Sequence, residues 1–213
     1  MNEIKSIYCD FDGTITKEDS VNSFFERYAS KEWVDSEKLW IEGKISSREN
    51  AITQVGLLKN ISQKQLEDYI NSIEIDDYFI DFADYVKSKN IKLTILSDGF
   101  DLFIEKVLER YNLDIPYYAN KFTYKNGKFS IEFPYYNENC DKKAGMCKCQ
   151  KVKENHFCYI GDGTSDLCIA SKADFLFATK NLHKYCKDNN IKHYHFISFR
   201  DIIDVLEMET EHA

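Results

Sequence analysis

The sequence predicts an α/β fold: a doubly wound parallel sheet with a helical insert after its first strand and a small β-hairpin insertion. Three observations carry that expectation. Short runs that are apolar throughout end in polar, glycine-bearing turns at Ile7–Gly13, Leu93–Gly99 and Phe157–Gly163. Stretches of helical periodicity separate these runs. Between residues 16 and 74 the alternation stops and only helix signals remain. The expected organisation is an α/β core of residues 1–15 and 75–213, with residues 16–74 as a helical cap.

Each apolar run is too short for a helix, and its lack of polar residues suits a strand covered on both faces. Asp174–Ala178 and His193–Ile197 read as two further strands. Phe79, Phe82, Ala83 and Val86 recur at i, i+3, i+4 and i+7, which predicts a helix ahead of the second strand. Asp101–Tyr111, Ser165–Lys172, Leu182–Asn189 and Arg200–Met208 read as helices too. Strand and helix in alternation imply a parallel sheet with helices on both faces. Ligands of such sheets sit beyond the carboxyl ends of the strands, where the polar turns lie. Within the insert, Val21, Phe24, Phe25 and Tyr28 form one helical stripe, and Leu66, Tyr69, Ile70 and Ile73 another. Ser46 with Glu49 and Ser62 with Gln65 look like capping boxes that open further helices, roughly four in all. Asn126-Gly127, between the alternating segments of "KFTYKNGKFSIEF", is a strong hairpin signal.

Composition narrows the function. With 213 residues, 43% hydrophobic and 15% aromatic, the chain can bury a core of ordinary size. Its 28 Lys and Arg against 36 Asp and Glu give a formal charge of −8, without a basic patch, so nucleic acid is not an expected partner. An acidic chain that handles an anion must attract it locally, through a metal ion or one well-placed lysine. The first residues lack the apolar stretch of a leader, and no later run approaches membrane-spanning length. Seven cysteines is an odd count, and Cys9, Cys158 and Cys168 sit singly in apolar segments, as buried thiols of a reducing compartment do. A cytoplasmic protein without membrane association is expected. No pattern specifies an oligomeric state.

The stretch "YCDFDGTITKED" sets two aspartates two residues apart at the end of the first run. Like charges that close repel unless a cation or a shared proton compensates them. A further acidic pair stands in "GDGTSD". Asp10 and Asp162 can supply carboxylate oxygens to Mg²⁺, a hard ion that prefers near-octahedral oxygen ligands. The metal would offset repulsion among Asp10, Asp162 and Asp166, while Asp12 keeps a proton and acts as an acid. Blander roles compete at several positions. Asp162, Asp166 and Ser97 can cap helices. Asp19, three residues after Thr16, suits a capping box as well as a substrate contact. Cys140, Cys147 and Cys149, with His156 nearby, invite a zinc reading, but C-x₆-C-x-C fits no standard pattern and free thiols are expected. His183, His193 and His195 are expected to be structural.

Asp10-Phe11-Asp12-Gly13-Thr14, then Ser97 in "ILSDGF", then Gly161-Asp162-Gly163-Thr164-Ser165-Asp166 stand in that order, each ending an expected strand. This trio resembles the haloacid dehalogenase superfamily of phosphotransferases, over the whole chain. The resemblance implies a Rossmann-like core and a phosphatase acting on a small phosphorylated metabolite. Asp10 would attack phosphorus and form an aspartyl-phosphate. Asp12 would protonate the leaving group, then deprotonate the hydrolytic water, and its carbonyl would bind Mg²⁺. Asp10, Asp12, Asp162 and Asp166 would form the metal site. Ser97, backbone amides near Asp98 and Gly99, and a lysine would hold the phosphoryl oxygens. Lys148 is the choice for that lysine, with Lys143 and Lys151 as alternatives.

The position of the insert resembles the phosphoserine phosphatase branch, which carries a Glu nine residues after the nucleophile and an Arg in the cap. Here those positions hold Asp19 and Gln54. Without a guanidinium the usual fork for a substrate carboxylate is missing, and Arg48, six residues earlier, cannot simply replace it. The methionine-salvage phosphatase group is a closer likeness, sharing "DFDGTIT" followed by Asp19, Glu32-Trp33, Gly56–Leu58 and a cysteine-rich approach to the lysine. Phosphoethanolamine and phosphocholine phosphatases share a "MCK" segment, here Met146–Lys148. Phosphoserine or phosphoethanolamine-type hydrolysis are the alternatives within the class, with transfer of the phosphoryl group to an organic acceptor as an enzymatic rival. A receiver-like phosphoacceptor is the alternative from another class.

Overall fold

The computed structural model describes residues 4–211. Seven strands form one sheet: β1 (Ser6–Cys9), β2 (Lys92–Phe100), β3 (Tyr117–Lys125), β4 (Lys128–Glu132), β5 (Cys158–Gly161), β6 (Phe175–Ala178) and β7 (Tyr194–His195). Their order across the sheet is β4-β3-β2-β1-β5-β6-β7. All neighbours pair in parallel except β3 with β4. The alternating direction of side chains explains the uninterrupted apolar runs. Ile7, Cys9, Ile95, Ile160 and Phe177 point into one core, and Tyr8, Leu96, Tyr159 and Leu176 into the other.

Helices cover both faces, as the fold class predicts. On the first face lie α5 (Phe79–Ser88), α6 (Asp101–Arg110) and α10 (Phe199–Glu211), which bury Phe79, Phe82, Val86, Phe103, Val107, Phe199 and Ile202. On the second lie the single turn α7 (Lys148–Lys151), α8 (Leu167–Ala170) and α9 (Lys180–Asp188), with Ile169, Ala170, Leu182 and Cys186 buried. Each large apolar side chain removed from water this way stabilises the fold by about 1.5–3 kcal/mol. The hairpin turns at Asn126 (φ 52°) and Gly127 (φ 77°), two left-handed residues in a row, which suits the right-handed twist of the flanking strands.

Four helices lie between β1 and α5: α1 (Ser20–Tyr28), α2 (Trp33–Ile41), α3 (Ser47–Gly56) and α4 (Gln63–Ser72). Capping boxes open α3 at Ser46 and α4 at Ser62. The helices of this segment divide differently from the sequence expectation. The Ser62 box and the Leu66–Ile73 stripe belong to one helix, α4, and the fourth helix is α2, which has no side-chain N-cap to announce it. Thr16 opens no helix; Asp19 is itself the N-cap of α1, accepting a hydrogen bond from Asn22 N at 2.8 Å. Phe24 joins the insert to the core, its ring centroid 5.3 Å from Phe103 and 6.2 Å from Phe122. Two elements are shorter than expected. Ser165–Lys172 is a 3₁₀ turn (Thr164–Asp166) followed by α8, and His193–Ile197 keeps only two strand residues. No helix among the described residues is long and apolar enough to cross a membrane.

Candidate active site

β2, β1 and β5 are adjacent at the centre of the sheet, so Ser97, Asp10 and Asp162 emerge from neighbouring carboxyl ends. Asp10 follows β1 and is tied across to β5 by its N–H, which donates to the Ile160 carbonyl at 2.9 Å. Its side chain is 6% exposed. Oδ1 accepts hydrogen bonds from Phe11 N at 2.8 Å and from Lys148 Nζ at 2.8 Å, whereas Oδ2 has no partner among the described residues. Lys148 is 1% exposed and reaches Asp166 Oδ1 at 2.6 Å and Ser165 Oγ at 3.1 Å. Of the three candidate lysines it alone meets Asp10. Lys143 is exposed, and Lys151 stacks over the Tyr135 ring at 3.9 Å.

Asp166 is fully buried and its oxygens are saturated. Oδ1 accepts from Lys148 and from the Tyr159 hydroxyl; Oδ2 accepts from the N–H groups of Asp162 and Gly163, both at 3.0 Å. It therefore fixes the Asp162 loop and the lysine together. Ligand oxygens of Asp10, Asp162 and Asp166 lie within 4.8 Å of one another, the one such group of three or more donors among the described residues. The Asp12 side chain stands outside it. Burial, then the charge of Asp166, holds the Asp10 carboxyl well above the usual carboxylate range despite Lys148. The same two causes push Asp162 up to about 6. For Lys148, burial disfavours the charge, but Asp10 and Asp166 outweigh it and the ammonium is held more firmly than in water. With the Asp166 oxygens spent, Asp10 and Asp162, both reluctant to ionise, are the carboxylates left to offer oxygen to a cation, and such a pair suits a hard divalent ion.

Asp12 lines one cavity together with Asp10 and Asp162. Ser20 Oγ donates to its Oδ1, and Ser97 Oγ donates to its Oδ2 at 3.0 Å. Burial, then the nearby charge of Asp19, pushes its carboxyl up to about 7, poised to hold or release a proton near neutrality. Ser97 in turn accepts from Gly99 N at 2.8 Å, so that N–H is already engaged within β2. The Asp98 carboxylate is a latch: it accepts from Met146 N at 2.7 Å, Asn120 Nδ2 at 3.0 Å and Ser47 Oγ, joining β2 to β3, α3 and the loop before α7. Gly13 adopts φ +76°, and a Cβ there would sit 2.4 Å from Asp162 Oδ2. Only glycine permits the two acidic loops to approach this closely.

The cavity above these groups measures about 250 Å³. Asn22 and Phe25 of α1, Glu37, Trp40 and Ile41 of α2, and Asn50 and Gln54 of α3 contribute to its wall, with Asp19 beside them. Several of these carry no signal in the sequence. Glu37 lies in a helix without a capping signal, and Ser20 and Ser47 resemble ordinary helix-start serines. Lys180, which donates to the Gly13 carbonyl and stands 3.4 Å from Asp162, follows β6 at a residue with φ 45° that no motif marks. The thiols are free, and Cys149 and Cys168 lie 3.4 Å apart. His156 pairs with Asp174 at the surface, and His183 contacts His193 at 2.8 Å.

The family model for "haloacid dehalogenase-like hydrolase" matches residues 7–171. The chain belongs to that family. Within it the protein is a phosphatase, an enzyme that hydrolyses a phosphate ester. It is 31% identical to a 2-hydroxy-3-keto-5-methylthiopentenyl-1-phosphate phosphatase of Brevibacillus brevis, over 94% of each chain. It is also 31% identical to a protein of the same name from Lysinibacillus sphaericus, over 97% of this chain and 96% of the relative. Among solved structures, a phospho-aspartyl intermediate analogue of phosphoserine phosphatase shares the fold, with a TM-score of 0.73, 23% identity, and coverage of 96% of this chain and 99% of the other.

Proposed function

We propose that the protein is an Mg²⁺-dependent phosphatase of a small phosphomonoester, working through an aspartyl-phosphate on Asp10, with the segment 16–74 as a cap over the site. The observation that carries this reading is the pairing of Asp10, one carboxylate oxygen pinned by Lys148 and the other free, with a proton-holding Asp12 across the same cavity. In the first step the free Oδ2 of Asp10 attacks phosphorus and the ester P–O bond breaks. Asp12 gives its proton to the departing alkoxide, which leaves as the alcohol. In the second step the Asp12 carboxylate takes a proton from water, the water oxygen attacks phosphorus, and the P–O bond to Asp10 breaks to release inorganic phosphate.

Lys148 and the Ser97 hydroxyl are the groups placed to hold phosphoryl oxygens as charge spreads over them. Asp166 acts by positioning, since its lone pairs are spent on Lys148, Tyr159 and the 162–163 amides. Asp10 and Asp162, with the Asp12 carbonyl, are the groups that would hold Mg²⁺, which supplies neutralisation of phosphoryl charge when bound. The names of the relatives make 2-hydroxy-3-keto-5-methylthiopentenyl-1-phosphate the first ester to try. Phosphoserine is disfavoured because Gln54, bound to Glu37, replaces a guanidinium. A screen of phosphorylated metabolites with Mg²⁺ tests the proposal. Release of phosphate that Asp10→Asn abolishes supports it, whereas a stable phosphoprotein without turnover would favour a phosphoacceptor.

A further inference from the structure

The wall of the cavity contributed by α2 and α3 has a built polar centre. Glu37 Oε2 accepts hydrogen bonds from Asn50 Nδ2 at 2.8 Å and Gln54 Nε2 at 2.9 Å. Both amides are buried, at 4% and 3% exposure, and Ser36 Oγ braces Asn50 from behind at 2.6 Å. Asn22 Nδ2, also on the wall, is drawn to Asp19 Oδ2 at 3.0 Å. The amide nitrogens of Asn50 and Gln54 are thus turned onto Glu37 and that of Asn22 onto Asp19, and the charged groups this wall presents are carboxylates. No lysine or arginine is among the described residues lining the cavity. Trp40, Ile41 and Phe25 add apolar surface beside Glu37.

We propose that Glu37, clamped by Asn50 and Gln54, is a specificity-determining residue that accepts a hydrogen bond from a donor on the leaving group. The substrate class this selects is a phosphomonoester whose alcohol carries a hydroxyl or ammonium donor and an apolar portion, and no carboxylate. A substrate carboxylate would face Glu37 and Asp19 with no cation on the wall to meet it, and like charges juxtaposed out of water are strongly disfavoured. A donor meeting Glu37 forms a charge-assisted hydrogen bond, the stronger kind. The assignment rests on the phosphatase reading above and adds the group that reads the alcohol.

The test compares the parent with Glu37→Gln, which keeps shape while removing the charge and one acceptor, and Glu37→Asp, which keeps a shortened carboxylate. Four esters serve as probes with Mg²⁺: glycerol 1-phosphate (hydroxyl donor), ethanolamine phosphate (ammonium donor), phosphoserine (carboxylate) and p-nitrophenyl phosphate (no donor). The expected result is a fall in kcat/KM of about 10- to 100-fold for a donor-bearing ester relative to p-nitrophenyl phosphate in Glu37→Gln, expressed mainly in KM. Glu37→Asp is expected to restore part of that preference, and the parent to use phosphoserine poorly beside ethanolamine phosphate. A larger loss with ethanolamine phosphate identifies the donor as ammonium, and a larger loss with glycerol 1-phosphate identifies a hydroxyl. Equal changes across all four esters, or an unchanged ranking, overturn the role of Glu37 while leaving the phosphatase intact. No phosphate release from any ester by the parent would instead remove the reading on which this role depends.

Discussion

Replacing Lys148 by Met tests the charge balance of the site directly. The ammonium bridges two buried carboxylates, at 2.8 Å to Asp10 and 2.6 Å to Asp166, whose side chains are 6% and 0% exposed. Met fills the volume but leaves both acids without their cation. Breaking a buried ion pair by deleting one partner costs about 3–5 kcal/mol, because the remaining charge stays buried and uncompensated. For a chain of this size each kcal/mol moves the melting temperature by about 2–4 °C, so Lys148→Met in chelator is expected to melt about 6–20 °C below the parent near neutral pH. The sign of the pH dependence follows from the direction of the shift. The Asp10 carboxyl is already raised in the parent, and without Lys148 it rises further. A carboxyl whose folded value exceeds its unfolded one penalises the folded state above the folded value, and the penalty disappears below the unfolded one, about 4. The gap between variant and parent should therefore close as pH falls toward about 4. Scanning calorimetry across that range is the assay, with phosphate release measured in parallel. A variant melting within about 2 °C of the parent near neutrality, or a gap that widens in acid, would refute the argument.

Four further outcomes are expected. Asp12→Asn should slow hydrolysis of alkyl phosphates by about 10²- to 10⁴-fold but p-nitrophenyl phosphate less, since that leaving group needs little protonation; steady-state rates on both esters decide this. With Asp12 at about 7, parent kcat/KM for an alkyl ester should decline as pH rises above that value, because the proton for the leaving alcohol is lost; a rate that keeps climbing there would count against Asp12 as the acid. Mg²⁺ at about 100 times its Kd should stabilise the fold by about 2.7 kcal/mol, and Asp162→Asn should lose most of that gain in a thermal melt. Gly13→Ala should lower both melting temperature and turnover, because its Cβ would meet Asp162 Oδ2 at 2.4 Å on a backbone already at φ +76°.

What could be read in advance depended on how far apart in sequence the interacting groups lie. Asp10 with Asp12, and Asp162 with Asp166, sit within one strand-to-turn unit, so spacing alone predicted that they share a neighbourhood. The strands were legible because burial on both faces leaves an unbroken apolar run, as in Ile7–Cys9 and Cys158–Ile160. Lys148 was harder, since three lysines lie near one another and only the fold shows which is buried against Asp10. Glu37 was not legible: α2 has a single buried residue, Ser36, so its pattern is weak, and its partners Asn50 and Gln54 lie on the next helix. The helix expected from Ser165 to Lys172 begins instead as a 3₁₀ turn. There the Asp166 carboxylate takes the N–H groups of Asp162 and Gly163, a tertiary requirement no local propensity reports.

The chain leaves the sheet for its helical insert and returns through one doorway. Lys17 N donates to the Glu74 carbonyl at 3.0 Å, Asp76 N donates to the Ile15 carbonyl at 2.8 Å, and Thr16 bridges Ile75 between them. Outgoing and incoming backbone are stitched side by side. Both ends of the insert are therefore held at one place on the sheet, and its further ties to the acidic loops run through Ser20 to Asp12 and Ser47 to Asp98. The stitch at Thr16 and Ile75 thus gives the four helices one common anchor on the sheet.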